Sequence, residues 1–277
     1  MLTLPAIKPP TLLRPQEALV ELLKSLTPDL RDAFRRITEQ GVRVLDVERV
    51  SIWLYDEPRA AIVCEDTFVR GRTKHEHGTR LAAVDFPRYF AALEENRTVA
   101  ARDACADPRT SEFAEGYLDV HGITSMLDAP IRSDRLVVGV VCCEHVGPRR
   151  EWSVVEQDFA GSLADAVALV LERTARVRLE ERCIQLQARF RELFHANVAA
   201  SFMAMRDGVI VEANRAFAEL AGLAAPEEAM GRSIAEFFVD ADRTRFKKSD
   251  GRVVAVRSSS TALSGEESVE VGTVVVG

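Results

Sequence analysis

The sequence predicts an α+β protein of two domains, each a mostly antiparallel sheet flanked by helices, with a long helix joining them. The length of 277 residues exceeds the usual size of one domain. Short strand-like runs alternate with helical and loop segments in an order typical of antiparallel sheets. Between two such groups lies the segment 154–197, which contains no proline and only one glycine.

The composition excludes several classes of partner. Apolar residues make up 47% and charged residues 29% of the chain, an ordinary balance for a soluble protein. The net charge of -7 and the absence of a long Lys/Arg run argue against nucleic acid or an anionic membrane as a partner. No secretory signal is evident, and apolar runs such as 136–143 are too short to span a bilayer. We expect a cytoplasmic protein whose five cysteines are reduced.

The first domain is expected at residues 16–171, after a flexible lead-in at 1–15 that carries four prolines. Two helices are predicted within 16–45, with Thr27 as the N-cap of the second and Pro28 in its first turn. Two strand hairpins follow, at 49–69 and 125–146. The insertion between them is predicted to form helices at 87–94 and 110–120 and a strand at 98–101.

A linker helix is expected over 154–197, overlapping the ends of both domains. Its apolar residues recur at near-heptad spacing in two phases that meet after Val177, a pattern typical of a coiled coil. We therefore expect a parallel homodimer. The side chains predicted at its seam are Val170, Val177, Leu179, Cys183 and Leu186.

The second domain is expected at residues 190–277. Strands are predicted at 201–205 and 209–213, followed by a helix at 214–220 that Asn214 caps and a helix near 234–238. A hairpin over 245–260 turns at Asp250-Gly251, and a Val-rich strand at 268–276 comes last.

Several motifs give these domains a family resemblance. The first domain contains the motifs RYFAAL at 88–93, Asp107-Pro108, Tyr117-Leu118, GITSMLDAPI at 122–131 and VCCEHVG at 141–147. Through these motifs, residues 45–171 resemble a GAF domain of the kind found in bacterial sensor kinases and diguanylate cyclases. The second domain contains GVIVEANRAF at 208–217, DGRVV at 250–254 and GTVVV at 272–276, through which residues 190–276 resemble a PAS domain. The spacing from Phe238 to Lys247 is short for a PAS domain.

The resemblance implies a non-catalytic signal-sensing and relay module of a bacterial-type signal transduction system, such as a two-component system. Because no phosphoacceptor helix, ATP-binding motif or cyclase signature follows, we expect the input half of a histidine kinase or diguanylate cyclase, or a free-standing relay subunit. A downstream signalling protein is the expected partner, and the chain itself is not expected to be an enzyme.

A pocket for an unidentified small molecule would lie between the sheet and the segment 85–121. A second interpretation of its polar residues is structural: Asp107 and Thr110 cap a helix and Arg109 binds surface carboxylates. The candidate ligand-binding residues are Tyr89, Asp103, Arg109, Thr110, Tyr117 and His121.

Three other site chemistries have weaker sequence support, and no metal or cofactor is predicted. Bilin-binding GAF relatives attach the chromophore through a Cys-His pair, but Phe113-Ala114 stands there, and Cys105 is alone. A thiol-dependent GAF-type reductase needs paired redox cysteines; strand alternation instead separates Cys142 and Glu144 from Cys143 and His145. A metal site can be drawn from His75, His77, Cys64 and Asp66, although loop histidines beside charged residues are usually solvated.

Overall fold

The computed structural model describes residues 15–72, 74–240, 242–263 and 269–276. The chain divides into two compact units, Met1–Arg178 and Leu179–Gly277, and each unit contains an antiparallel sheet with helices. The predicted α+β class is confirmed. The predicted lead-in at 1–15 lies outside the described residues, except for Pro15, where the first helix begins.

Two helices precede the first sheet, as predicted: α1 (Pro15–Ser25) and α2 (Leu30–Leu45). The predicted cap of α2 is wrong. Asp29 is the N-cap, because its extended backbone lets its carboxylate accept a hydrogen bond from the Asp32 amide at 2.8 Å. The Thr27 hydroxyl instead donates to the Asp32 carboxylate at 2.9 Å.

The sheet of the first unit has seven strands in the described part of the chain, and neighbouring strands run antiparallel. Its order is β3-β2-β1-β7-β6-β5, with β4 also paired to β2. Both predicted hairpins are confirmed, as the pairs β1–β2 and β6–β7. The strands are β1 (Arg49–Tyr55), β2 (Ala61–Val69), β3 (His75–Glu76), β4 (Arg80–Ala82), β5 (Val99–Ala101), β6 (Ile123–Ser133) and β7 (Leu136–Val146).

Two apolar cores lie on the two faces of this sheet. On one face, α1 and α2 pack with the first turns of α5 (Val154–Ala196), and this core includes Trp152 and Leu163. On the other face, α3 (Pro87–Glu95) and the segment 102–122 pack against the strands, and this core includes Trp53 and Tyr89. Because side chains alternate along each strand, β7 contributes Cys143 to the first core and Cys142 to the second.

Residues 111–121 form three short turns of helix, Ser111–Phe113, Ala114–Leu118 and α4 (Asp119–His121). The prediction of one helix at 110–120 is wrong, because the backbone of Glu115 is extended and Gly116 has a φ of 90°. Only glycine adopts that φ at little cost, so Gly116 turns the chain there. After this turn, Tyr117 reaches the sheet and contacts Glu144.

Helix α5 is 43 residues long and confirms the predicted linker helix. Its start is fixed by a reciprocal pair of hydrogen bonds. The Ser153 amide donates to the Glu156 carboxylate at 2.8 Å, and the Glu156 amide donates to the Ser153 hydroxyl at 3.3 Å. The helix runs through Arg178, the last residue of the first unit, into the second unit.

The second unit contains a five-stranded antiparallel sheet of order β10-β11-β12-β8-β9. One face carries α6 (Arg215–Ala221) and a core rich in phenylalanine, in which Phe217 and Phe246 are fully buried. Asn214 caps α6 as predicted, accepting a hydrogen bond from the Phe217 amide at 2.9 Å. The strands are β8 (Ala200–Met205), β9 (Ile210–Ala213), β10 (Arg245–Lys247), β11 (Val253–Leu263) and β12 (Val269–Val276).

The segment between Phe238 and Lys247, short for a PAS domain, holds a turn and β10, and its described residues form no helix. The predicted helix near 234–238 is a single 3-10 turn, Ile234–Phe237, capped by Ser233. The predicted hairpin turn at Asp250-Gly251 joins β10 and β11.

Candidate functional site

A small cavity lies between the sheet of the first unit and its insertion, where the sequence analysis expects a ligand pocket. Its volume is about 10 Å³, room for roughly one water molecule. Most of its wall is apolar or aromatic, and Glu144 contributes a carboxylate. The lining residues are Trp53, Ile62, Leu81, Tyr89, Phe113, Tyr117, Met126, Cys142 and Glu144.

The first polar group beside the cavity joins α3 to the sheet. The Tyr89 hydroxyl donates a hydrogen bond to Asp128 Oδ2 at 2.7 Å and lies 3.6 Å from Cys142 Sγ. Asp128 and Cys142 are direct partners across β6 and β7, which places both beneath Tyr89. Burial raises the pKa of Asp128 to about 8, so this carboxyl carries a proton at neutral pH.

The second polar group joins the segment after Gly116 to the sheet. The Tyr117 hydroxyl donates to Glu144 Oε1 at 2.7 Å, and Arg49 Nε lies 3.1 Å from Glu144 Oε2. Arg49 and Glu144 are partners across β1 and β7, and the guanidinium also lies 5.8 Å from the centre of the Tyr117 ring. Burial raises the pKa of Glu144, while the charge of Arg49 and the Tyr117 hydrogen bond act in the opposite direction.

Three buried polar atoms have no hydrogen-bond partner among the described residues: Arg49 Nε, Asp128 Oδ1 and Glu144 Oε2. Of these residues, Glu144 lines the cavity, whereas Arg49 and Asp128 do not. The short distance between Arg49 Nε and Glu144 Oε2 is a charge contact whose angles are not those of a hydrogen bond. Buried polar atoms are nearly always satisfied in proteins. A polar atom of a molecule bound in the cavity would satisfy Glu144 Oε2.

Three of the six predicted ligand residues lie together at this place. Tyr89 and Tyr117 line the cavity. His121 is exposed and does not line the cavity, but its ring lies 5.0 Å from that of Tyr117, centre to centre. Partial burial, together with the charge of Arg49, lowers the pKa of His121 and favours its neutral form.

The other three predicted residues hold the loop that follows β5 and do not line the cavity. Asp103 forms an ion pair with Arg149 at 3.0 Å. Arg109 pairs with Asp107 at 2.7 Å and donates to the Ala100 carbonyl at 2.9 Å, and the Thr110 hydroxyl donates to the Ala104 carbonyl at 2.7 Å. The ion pair of Arg109 agrees with the structural interpretation of that residue. The predicted helix cap by Thr110 is wrong, because its hydroxyl donates to the Ala104 carbonyl and makes no capping hydrogen bond.

Sequence reasoning missed the charged residues of the strands, Arg49, Asp128 and Glu144, as members of the site. The signal was present for two of them: Asp128 and Glu144 each interrupt an apolar run, and burying an ionisable group in such a run is costly unless it has a partner. The alternation argument placed Cys142 and Glu144 on one face, as the structure has them, but weighed them only as a nucleophile and a base.

Of the four residues considered for metal binding, His75 and Asp66 contact each other. His75 Nδ1 is 2.9 Å from Asp66 Oδ2, and its Nε2 is 3.2 Å from Glu39. Cys64 Sγ lies 3.0 Å from the Thr67 hydroxyl on the side of the cavity core. Among the described residues, no group of three or more His, Cys, Asp or Glu side chains could hold a metal ion.

The buried thiols are poorly suited to nucleophilic chemistry. Burial raises the pKa of Cys64 to about 11 and raises that of Cys142 further above its ordinary value. A nucleophilic cysteine requires the thiolate, which a lowered pKa favours. Phe113, at the position that a chromophore-binding pair would occupy, is buried and its ring stacks on Phe86 at 4.3 Å.

The residues predicted at the dimer seam divide into two groups. Val170 is 2% exposed and is therefore covered within the first unit. Val177, Leu179 and Leu186 are 46%, 69% and 60% exposed, and Cys183 is exposed as well. The apolar surface of α5 is thus available from Val177 onward.

Family models match both units. One described as the GAF domain matches residues 29–171, and one described as the PAS fold matches residues 188–274. A search of curated proteins finds no match. No helix in the described parts of the chain has the length and apolar character needed to cross a membrane.

Solved structures are similar to part of this chain. The GAF domain of an Acinetobacter phosphoenolpyruvate-protein phosphotransferase is 17% identical, covering 59% of this chain and 93% of that one, with a TM-score of 0.48. The blue-light absorbing form of the Thermosynechococcus elongatus PixJ GAF domain is 19% identical, covering 58% and 94%, with a TM-score of 0.48. Free methionine-R-sulfoxide reductase from Neisseria meningitidis, in complex with its substrate, is 15% identical, covering 64% and 99%, with a TM-score of 0.49.

Proposed function

Because this chain belongs to the GAF domain family and its second unit matches the PAS fold, we propose that it is a non-catalytic signal-sensing and relay module. The first unit binds a small molecule in the cavity beneath Tyr89 and Tyr117. One observation carries this proposal: Glu144 lines that cavity, and its buried Oε2 has no hydrogen-bond partner among the described residues. A polar atom of a bound molecule would satisfy it.

The position of the cavity suggests how a ligand would act on the rest of the first unit. Two tyrosines of the insertion donate to carboxyls on the central strands, Tyr89 to Asp128 and Tyr117 to Glu144. Glu144 belongs to β7, and the chain continues from β7 through residues 147–153 directly into α5. A ligand that displaces Tyr117 from Glu144 therefore acts on the strand that precedes the long helix. This relay is a hypothesis, and its output is a histidine kinase, a diguanylate cyclase or a separate signalling partner in the cytoplasm.

We also propose that α5 forms a parallel homodimer with a second copy of the chain. Leu179, Leu186 and Leu193 recur every seven residues and are 69%, 60% and 65% exposed. Phe190, 45% exposed, and Cys183 lie between them at the alternate heptad position. Burying each large apolar side chain contributes roughly 1.5 to 3 kcal/mol. Summed over two chains, this is comparable to the cost of association, about 4 to 15 kcal/mol.

Native mass spectrometry of the purified full chain tests the ligand site. We expect a retained small molecule, or a binder from a metabolite panel, whose binding is lost in Glu144→Gln. The matched control is Glu115→Gln, the same change at an exposed glutamate of the neighbouring segment. A binder that is retained equally in both variants occupies another site, and this result would contradict the proposal.

A further inference from the structure

The cavity that Glu144 lines is too small for most ligands as it stands. Its volume of about 10 Å³ holds roughly one water molecule, so a larger molecule enters only when part of the wall moves. The insertion supplies three aromatic side chains of this wall, Tyr89 on α3, Phe113 and Tyr117. The strands supply the rest, and their hydrogen-bonded ladders hold them in place. The entrance is therefore to be found in the insertion.

Two of these three side chains are firmly held. Tyr89 and Phe113 are buried, and their rings pack edge to face with centres 4.7 Å apart. The carboxylate of Glu112, next to Phe113, accepts hydrogen bonds from the amides of Arg88 and Tyr89, both at 3.0 Å, and so caps the first turn of α3. These contacts join α3 to the turn Ser111–Phe113, so neither moves without the other.

The third side chain, Tyr117, belongs to residues 116–122, which are held more loosely. In the described structure this segment makes its buried contacts through Tyr117 and Leu118, whereas residues 119–121 are exposed. The Tyr117 hydroxyl donates a hydrogen bond to Glu144 at 2.7 Å, and this bond fastens the segment to β7. The segment can therefore leave the sheet without disturbing α3.

A glycine with a positive φ stands at each end of this segment, with 90° at Gly116 and 66° at Gly122. Glycine exchanges such angles for ordinary ones at little cost, so the backbone can turn at both places. A Cβ atom on Gly116 would meet no atom beyond its chain neighbours within 4 Å, so the backbone angle rather than space requires glycine there. The Asp119 amide bonds to the Ala114 carbonyl across Gly116. Asp119 is exposed, so water takes the place of this bond when the segment turns.

We propose that residues 116–122 form a lid over the cavity, which turns at Gly116 and Gly122 and is latched by the hydrogen bond from Tyr117 to Glu144. Opening removes the Tyr117 ring from the wall and gives a ligand a path to Glu144. The inference rests on the proposed function and identifies how the same site is entered. The open state is the minor one, because opening exposes Leu118 and breaks the latch. A ligand that takes the place of the Tyr117 hydroxyl on Glu144 selects the open state.

Two neighbouring thiols on β7 distinguish lid opening from unfolding. Both are buried, but Cys142 lines the cavity, whereas Cys143 lies in the core on the other face of the sheet. Opening of the lid exposes Cys142 alone, and unfolding of the first unit exposes both thiols.

Thiol labelling of the full chain with N-ethylmaleimide therefore tests the proposal. Tandem mass spectrometry measures the initial labelling rate at each thiol, and each rate is divided by that of the same thiol in the urea-unfolded chain. We expect Cys142 to react about tenfold or more faster than Cys143, because a local opening requires less free energy than unfolding. Equal rates for the two thiols would overturn the lid.

Two variants locate the latch and the hinge. Tyr117→Phe should speed labelling of Cys142 by about tenfold, because the open state has already lost the hydrogen bond to the carboxylate. Gly116→Ala should speed it by about five- to thirtyfold, because a side chain disfavours the φ of the closed lid. Unchanged labelling of Cys142 in both variants would overturn the lid. If Tyr117→Phe does not fold, Gly116→Ala and the unmodified chain decide the question.

The matched control is Gly71→Ala, in the turn between β2 and β3. Gly71 also has a positive φ, 75°, and open space at its Cβ, but it lies outside the lid. This variant should leave the labelling of Cys142 unchanged, since the strain is the same whether the lid is open or closed; acceleration equal to that of Gly116→Ala would contradict the proposal. Equal rates for Cys142 and Cys143, together with a binder that depends on Glu144, would overturn the lid and leave the ligand site in place.

Discussion

Asp128 is the residue on which most of the site depends. It is fully buried, and its Oδ2 accepts a hydrogen bond from the Tyr89 hydroxyl at 2.7 Å. Its Oδ1 has no hydrogen-bond partner among the described residues. The hydrogen bond also fixes α3 to the strand beneath it. Two predictions follow from this contact.

Replacing the tyrosine tests the hydrogen bond itself. Tyr89→Phe leaves Asp128 Oδ2 without its donor in a buried place, and we expect the free energy of unfolding to fall by about 1 to 3 kcal/mol. Urea denaturation followed by circular dichroism measures this. Tyr55→Phe, the same change at a partly exposed tyrosine, is the control and should cost less. Equal losses of stability in the two variants would contradict the prediction, because the buried hydrogen bond of Tyr89 would then contribute no more than the hydroxyl of Tyr55.

Asp128 also makes stability depend on pH. Its pKa is about 8 in the folded chain and 3.8 in a model peptide, so the folded state binds more protons between these values. The free energy of unfolding should therefore decrease as pH rises from about 4 to 8, by at most about 1.4 kcal/mol per pH unit from this group. Comparing denaturation of the unmodified chain with Asp128→Asn at pH 5 to 9 isolates the effect. Parallel pH profiles for the two proteins would contradict it.

At the scale of elements, the centre of the first sheet depends on a close approach of two strands. A Cβ atom placed on Gly139 of β7 would lie 2.1 Å from the Trp53 carbonyl oxygen of β1. The backbone has to move to accept a side chain there. Trp53 lines the cavity, so such a movement would also disturb the candidate site.

A pair of glycine substitutions tests this packing. Gly139→Ala should lower the free energy of unfolding by about 1 to 3 kcal/mol or more, because it overpacks the interface between β1 and β7. Gly161→Ala, inside α5, should instead raise stability by up to about 1 kcal/mol, because alanine favours helix and its Cβ meets only Arg97 at 3.6 Å. Thermal unfolding of each variant and of the unmodified chain measures the change in stability. The same sign for both would contradict the difference in packing.

The elements that could be predicted from the sequence are those whose apolar pattern is long or regular. The hairpins of β1–β2 and β6–β7, helix α5 and the Asn214 cap all follow from such patterns. The irregular insertion could not be predicted in detail, because one backbone angle at Gly116 decides its course. The candidate site could be predicted only in part from the sequence. Tyr89 and Tyr117 belong to recognisable motifs, whereas the roles of Asp128 and Glu144 depend on burial that only the packed sheet reveals.

At the scale of the whole molecule, the proposed dimer places Cys183 of one chain beside Cys183 of the other. In a parallel coiled coil the two Cys183 side chains face each other across the seam, so mild oxidation should yield a covalent dimer. Cys183→Ser should abolish it. Cys105→Ser is the control, because Cys105 is the other exposed cysteine among the described residues. Sedimentation should give a dimer that Leu179→Glu with Leu186→Glu dissociates. A monomer at micromolar concentration, unchanged by these substitutions, would contradict the proposal.

The two cores of the first unit make its two layers optically distinguishable. The chain has two tryptophans. Trp53 belongs to the core beneath the insertion, and Trp152 belongs to the core beneath the helices. The Trp53 indole N–H donates to the Ser51 hydroxyl at 2.8 Å, and the Trp152 indole N–H donates to the backbone carbonyl of Ala101 on β5 at 3.3 Å. Emission from Trp152→Phe therefore reports on the ligand side alone, and emission from Trp53→Phe reports on the helical side. Tryptophan fluorescence of the two variants can therefore show, without an attached dye, which of the two layers loosens first during unfolding.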